Sequence, residues 1–110
     1  MHIKFTARHF RAHADVKEHA IGMVKKLDKF YDGIVTADII LSYERVTKSV
    51  KTAEINLHVY GGVLTAKEKS DDYIKSIDAA TEKLTLQLSK YKTKLRAKDK
   101  GKVREIQAKV

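Results

Sequence analysis

The feature that most constrains this chain is a change of hydrophobic period, from two to helical and back, with no proline anywhere to interrupt it. Ile3, Phe5 and Ala7 alternate with Lys4, Thr6 and Arg8 over residues 2–8, the pattern of a half-buried strand. From Ala14 to Tyr31 the spacing turns helical. Val16, Ala20, Met23, Leu27 and Phe30 form one apolar stripe, and Asp15 and Glu18 occupy the first turn, where carboxylates suit the helix dipole. Asp32-Gly33 stops that helix, with Gly33 free to adopt positive φ. Ile39, Leu41 and Tyr43 alternate in a second strand over 35–45, and Ala53, Ile55, Leu57 and Val59 in a third over 51–60. Gly61-Gly62 signals a tight hairpin into a short fourth strand through Leu64 and Ala66 toward Glu68. Ser70 reads as the N-cap of a second helix, with Asp71 and Asp72 behind it. The apolar stripe of that helix is Ile77, Ala80, Leu84, Leu88, Tyr91 and Leu95, and its end is expected near Ala97.

The order β-α-β-β-β-α predicts an α+β fold with a four-stranded mixed sheet and two parallel helices on one face. A strand–helix–strand succession favours a right-handed crossover, which makes the first two strands parallel, and hairpins then alternate direction. The other sheet face would carry Thr6, Arg8, Asp38, Glu54, Asn56 and His58 and be solvated. A chain of 110 residues fits one domain, placed at 1–96, with 97–110 as a flexible basic tail.

Charge gives the first indication of function. Lys and Arg number 23 against 14 Asp and Glu, a net +9, and residues 61–110 hold 13 of the basic side chains against 7 acids. Such a field attracts polyanions, with nucleic acid ahead of an anionic membrane surface or an acidic protein. Cysteine is absent, which removes disulfides, thiolate nucleophiles and the usual structural zinc sites. No apolar h-region opens the chain and no run is long enough to span a bilayer, so a cytoplasmic protein without membrane contact is expected.

No catalytic motif is present: there is no G-x-S-x-G, H-E-x-x-H, Walker loop or G-x-G-x-x-G. His9 and His13 are four apart but at a strand-to-helix junction with no third ligand, so they read as loop histidines. Helix capping explains Asp71-Asp72 better than acid–base chemistry. The chain is therefore read as a non-enzyme with no cofactor and no metal.

The basic residues are more informative. Lys83, Gln87, Lys90 and Lys94 fall in one stripe of the second helix, without an acid among them. Gly22, Lys26 and Lys29, with Lys25 beside them, take the equivalent flank of the first. Parallel helices would aim both stripes in related directions, suited to phosphates; the plainer alternative is a solvated helix face. From Lys90 onward Lys92, Lys94, Arg96, Lys98, Lys100, Lys102 and Arg104 alternate with little acid between them, as a basic arm. Tyr43 and Tyr60 could stack on bases, but no aromatic pair on adjacent strands suggests sequence readout.

Several segments resemble the ribosome hibernation-promoting factor and protein Y family. They are Phe5-Thr6-Ala7-Arg8-His9-Phe10, Lys26-Leu27-Asp28-Lys29-Phe30-Tyr31-Asp32, Asp72-Tyr73-Ile74-Lys75-Ser76-Ile77-Asp78, Lys83-Leu84 and Gln87-Leu88-Ser89-Lys90-Tyr91-Lys92, within residues 2–96. The resemblance implies a fold similar to double-stranded-RNA-binding domains. It also implies a site on the small ribosomal subunit (16S-type rRNA) of the whole ribosome, over the mRNA channel and the A- and P-site tRNA positions, where occupancy blocks translation. It assigns RNA contacts to Lys26, Lys29, Lys83, Lys90 and Lys92, and Arg8 matches a basic family position; the stripes and arm add Lys25, Lys94 and Arg96. Leu86 stands where the family usually has Arg, which removes one contact and turns an apolar side chain outward. On this resemblance the chain is expected to be of the short hibernation-promoting type, without the separate dimerisation domain of long members, and its basic tail is closer to that type than to protein Y. A monomer off the ribosome is expected, with a ribosome-dimerising factor as a further candidate partner. The alternative is a general double-stranded-RNA-binding module or RNA chaperone.

Overall fold

The computed structural model describes residues 1–107 apart from Arg45, Thr47 and Lys48, with side chains as far as Thr93. The elements are β1 (His2–Ala7), α1 (Ala14–Phe30), β2 (Ile34–Tyr43), β3 (Lys51–Val59), β4 (Gly62–Ser70) and α2 (Tyr73–Gln107). The sheet order is β1-β2-β3-β4. β1 pairs parallel with β2, His2 opposite Thr36 through Ala7 opposite Leu41. The β2–β3 and β3–β4 pairs are antiparallel. The mixed sheet, its order and its one parallel pair follow the alternating periods of the sequence.

Both helices lie on one face. Ala37, Ile39 and Leu41 of β2 and Ala53, Ile55 and Leu57 of β3 point at them and are fully buried. Ala20, Val24 and Leu27 of α1 meet this layer, as do Ile77, Ala80, Leu84 and Leu88 of α2. The helices run parallel, since His19 near the start of α1 meets Asp78 near the start of α2, and Phe30 at the end of α1 meets Lys92 far along α2.

Local details depart from the sequence expectations, each for a physical reason. In α1 it is Val24, one turn after Ala20, that is buried, while Phe30 at the last position is 40 % exposed. Gly33 does not take a positive φ. The helix ends instead with Tyr31 in extended conformation, its N–H donating to the Leu27 carbonyl. Gly33 is needed because the Tyr31 ring lies where any Cβ would project. The hairpin turn is Tyr60-Gly61, one residue earlier than expected, with Val59 opposite Gly62 and Gly61 at φ +87°.

Ser70 closes β4 rather than capping α2. Asp72 is the cap, its carboxylate accepting from the Ile74 N–H at 3.2 Å, while Ser70 Oγ accepts from the Asp72 N–H at 3.2 Å. Ser70 Oγ also meets Ser76 Oγ at 2.7 Å, and the buried Ser76 hydroxyl donates to the Lys51 carbonyl at 2.8 Å, tying this corner to β3. The backbone of α2 continues to Gln107, past the end expected near Ala97. Alternating lysines spread charge around a helix axis without forbidding the helix, and Gly101 alone in that stretch opposes it by propensity.

Two substitutions test this packing. Leu84→Ala empties a fully buried site under α2 and should cost about 2–5 kcal/mol. Gly33→Ala, which leaves the apolar core untouched, should also lower the melting temperature by displacing the Tyr31 ring. A Gly33→Ala protein as stable as the parent in thermal melts would contradict the steric account.

Candidate nucleic-acid interface

The helices carry their charges unevenly along their length. The first half of α1 holds Asp15, Lys17 and Glu18, and its second half holds Lys25, Lys26, Asp28 and Lys29, so the helix goes from net acidic to net basic. In α2, Lys75, Asp78 and Glu82 come early, while Lys83, Lys90 and Lys92 come later. Parallel packing sets the basic halves side by side, so the two gradients add into one basic pole. The C-terminus of α1 favours cations there as well.

The pole's cations are not equivalent. Lys25, Lys29 and Lys90 are exposed and take part in none of the ion pairs among the described residues. Lys26 is exposed too, but it lines a groove of about 410 Å³ between the helices, together with Met23, Phe30, Asp78, Glu82 and Thr85. Carboxylates in that groove temper its charge. Lys92 lies 4.6 Å above the Phe30 ring and donates to the Phe30 carbonyl at 3.2 Å, so it caps the end of α1 as well as adding charge. Lys83 is paired at 2.5 Å with Glu68, which faces the helices from β4. The expectation of a stripe without acids holds along α2 itself but fails across space, because β4 supplies one.

The two stripes share an angular flank, with different surroundings. That flank of α1 faces α2, as the His19–Asp78 contact at 2.6 Å shows. That of α2 faces β4, where Gln87 donates to the Thr65 carbonyl at 2.9 Å. Leu86 is 62 % exposed on α2, an apolar side chain turned outward as expected. Arg8 is not part of this surface. It lies on the opposite sheet face, lining a depression with Lys4, Thr6, Asp38 and Ile40. That face is polar and internally paired: His58 meets Asp38 at 3.3 Å, Asn56 donates to Glu54 at 3.2 Å, and Glu54 sits opposite Lys67. The side chains of Lys94 and Arg96 lie outside the described residues.

The aromatics separate in the same way. Tyr43 is engaged inside the fold, edge-on to Phe10 at 5.9 Å with its hydroxyl donating to the His9 carbonyl, and Phe10 stacks on Tyr73 at 5.0 Å. Burial, with the neighbouring Tyr43 second, pushes the Tyr73 hydroxyl above its usual range. The Tyr73 hydroxyl donates to the Ser42 carbonyl at 2.9 Å. Tyr31 is raised likewise, by burial first and then by Tyr91 and Asp32. Tyr60, by contrast, is 84 % exposed. Sequence reasoning found Tyr60 but not its place: the Tyr91 hydroxyl donates to its carbonyl, which sets the hairpin tip beside the basic pole. No group of three or more metal-ligating side chains gathers among the described residues. No helix there is long and apolar enough to cross a membrane.

Sheet, helices and pole together define a small α+β module with a cationic end. The chain belongs to the family described as Sigma 54 modulation protein / S30EA ribosomal protein, whose model matches residues 3–96. It is similar to the ribosome hibernation promoting factor of Klebsiella oxytoca, 32 % identical over 96 residues that cover 87 % of this chain and 98 % of the relative. The factor of the same name from Escherichia coli K12 is 30 % identical over the same shares. Among solved structures, a ribosomal subunit interface protein from Coxiella burnetii superposes with a TM-score of 0.76 at 29 % identity, covering 84 % of this chain and 99 % of that one. The N-terminal domain of Thermus thermophilus Protein Y gives 0.72 at 25 % identity, over 83 % and 99 %.

The double contact of Lys92 gives a prediction. Lys92→Ala should destabilise the fold by about 1–2 kcal/mol, through loss of a hydrogen bond and a cation–π contact at the end of α1. Lys90→Ala, with no such contacts, should leave the melt unchanged. Equal melts for the two variants would remove the structural role assigned to Lys92.

Proposed function

We propose that this protein binds the small ribosomal subunit through its basic pole, covers the mRNA channel and the A- and P-site tRNA positions, and inhibits translation by steric occlusion. The observation that carries this reading is the summing of two lysine gradients by parallel helices, in a chain of this family. The names of its relatives, ribosome hibernation promoting factors and a ribosomal subunit interface protein, point to the same partner. Lys25, Lys29 and Lys90 are the principal phosphate contacts, Lys26 and Lys92 contribute from the groove and its end, and Lys83 joins once Glu68 is displaced or screened. Lys94 and Arg96 extend the same helix, and the basic residues that follow them lie beyond the family-matched region. Arg8, on the other face, stands apart from this contact surface.

Occlusion needs no chemistry, so inhibition is stoichiometric and the protein is not an enzyme. It acts in the cytoplasm, as a monomer until it docks. Small-subunit affinity should fall by orders of magnitude between about 50 and 200 mM salt if six or more phosphates are contacted. Lys25→Glu/Lys29→Glu/Lys90→Glu should keep the parental melt, since all three side chains are exposed, yet lose ribosome pelleting and inhibition of cell-free synthesis. Retained pelleting at physiological salt would overturn the assignment of the pole. Equal affinity for naked duplex RNA would favour a general RNA-binding module, and one molecule silencing many ribosomes would indicate catalysis.

A further inference from the structure

Tyr60 is the most exposed aromatic side chain among the described residues, at 84 %, and nothing in the fold explains the exposure. Its position in the turn needs a backbone, not a ring: the conformational demand falls on Gly61, at φ +87°. A polar residue would fill a solvated turn position at lower cost.

The backbone beneath the ring is nevertheless held firmly. The Tyr91 hydroxyl donates to the Tyr60 carbonyl. The Tyr91 ring packs edge-on against Tyr31 at 5.9 Å, and Tyr31 in turn lies over Gly33. The hairpin tip is thus tied to α2 and, through Tyr31, to the end of α1. Tyr91 stands between Lys90 and Lys92, so the anchor of the tip belongs to the basic pole itself.

A rigidly based ring, open to solvent and bordering a cationic surface, matches what single-stranded nucleic acid requires: cations for the backbone and a π-face for an unstacked base. We infer that Tyr60 is a stacking platform for one unpaired nucleobase of the RNA whose phosphates the lysine pole engages. The inference rests on the reading of this protein as an rRNA binder and adds to it a base contact that is indifferent to sequence. Electrostatics favours RNA over an apolar protein partner, because Tyr91, which holds the tip, stands between Lys90 and Lys92 in the chain and the net charge is +9.

The test is the affinity of the full chain and of Tyr60→Phe, Tyr60→Leu and Tyr60→Ala for purified small ribosomal subunits, with thermal melts alongside. All four proteins should melt alike, because the ring makes no core contact. Tyr60→Phe should bind within about twofold of the parent, while Tyr60→Ala and Tyr60→Leu should each lose about tenfold, as expected for one base–aromatic stack. Tyr60→Ala binding as tightly as the parent overturns the inference while leaving the lysine pole intact. Tyr60→Leu binding as well as Tyr60→Phe also overturns it, since apolar area would then suffice and a protein contact would be the better account. A parent protein that does not bind small subunits overturns the functional reading, and the stacking role falls with it.

Discussion

The parallel pairing of β1 with β2 is the constraint on which the rest of the structure depends. Two parallel neighbours cannot be joined by a turn, so α1 must cross a sheet face, and chirality selects which one. Two antiparallel hairpins then return β4 to the direction of β1, and α2, leaving β4, must run back alongside α1. Parallel helices are therefore a consequence of strand parity. Because each helix is net acidic early and net basic late, the same parity decides that the excess lysines of both arrive at one end.

Packing supports this arrangement from beneath. The inward residues of β2 and β3 are fully buried under both helices, so neither helix can rotate without exposing Val24 and Leu27 or Leu84 and Leu88. Orientation of the lysines is thereby set by the core. Polar contacts refine it: Lys83 is drawn to Glu68, Lys92 to the end of α1, and Gln87 to the Thr65 carbonyl of β4. Among the described side chains of the pole, Lys25, Lys29 and Lys90 face outward, away from the groove and outside every ion pair, a smaller set than the basic stripes taken whole.

The architecture was legible in the sequence because period and order encode it directly. The alternation in Ile39–Leu41 and Ala53–Val59, the helical stripe Ile77–Leu88, and the succession β-α-β-β-β-α leave few topologies. Less legible was everything that depends on a contact between distant elements. Gly33 reads as a positive-φ terminator because its role, making room for Tyr31, involves a ring position that local patterns do not describe. Ser70 reads as a cap because its bond to the Asp72 N–H resembles capping one step too early. Glu68 was invisible as the partner of Lys83, since strand register and helix rotation must both be known to bring them together. Arg8 fitted a family pattern, but alternation already put it on the face away from Ile3 and Phe5, and the sheet keeps it there.

The central claim is that the helix pole, and not the open sheet face, meets the ribosome. Lysine acetylation footprinting of the protein, free and bound to small subunits, separates the two faces within one sample. Lys4 and Lys67 mark the sheet face; Lys25, Lys29 and Lys90 mark the pole, and all five are exposed in the free protein. Protection of Lys25, Lys29 and Lys90 on binding, with Lys4 and Lys67 still reactive, is the predicted result. Protection of Lys4 and Lys67 with the helix lysines left reactive would contradict the account.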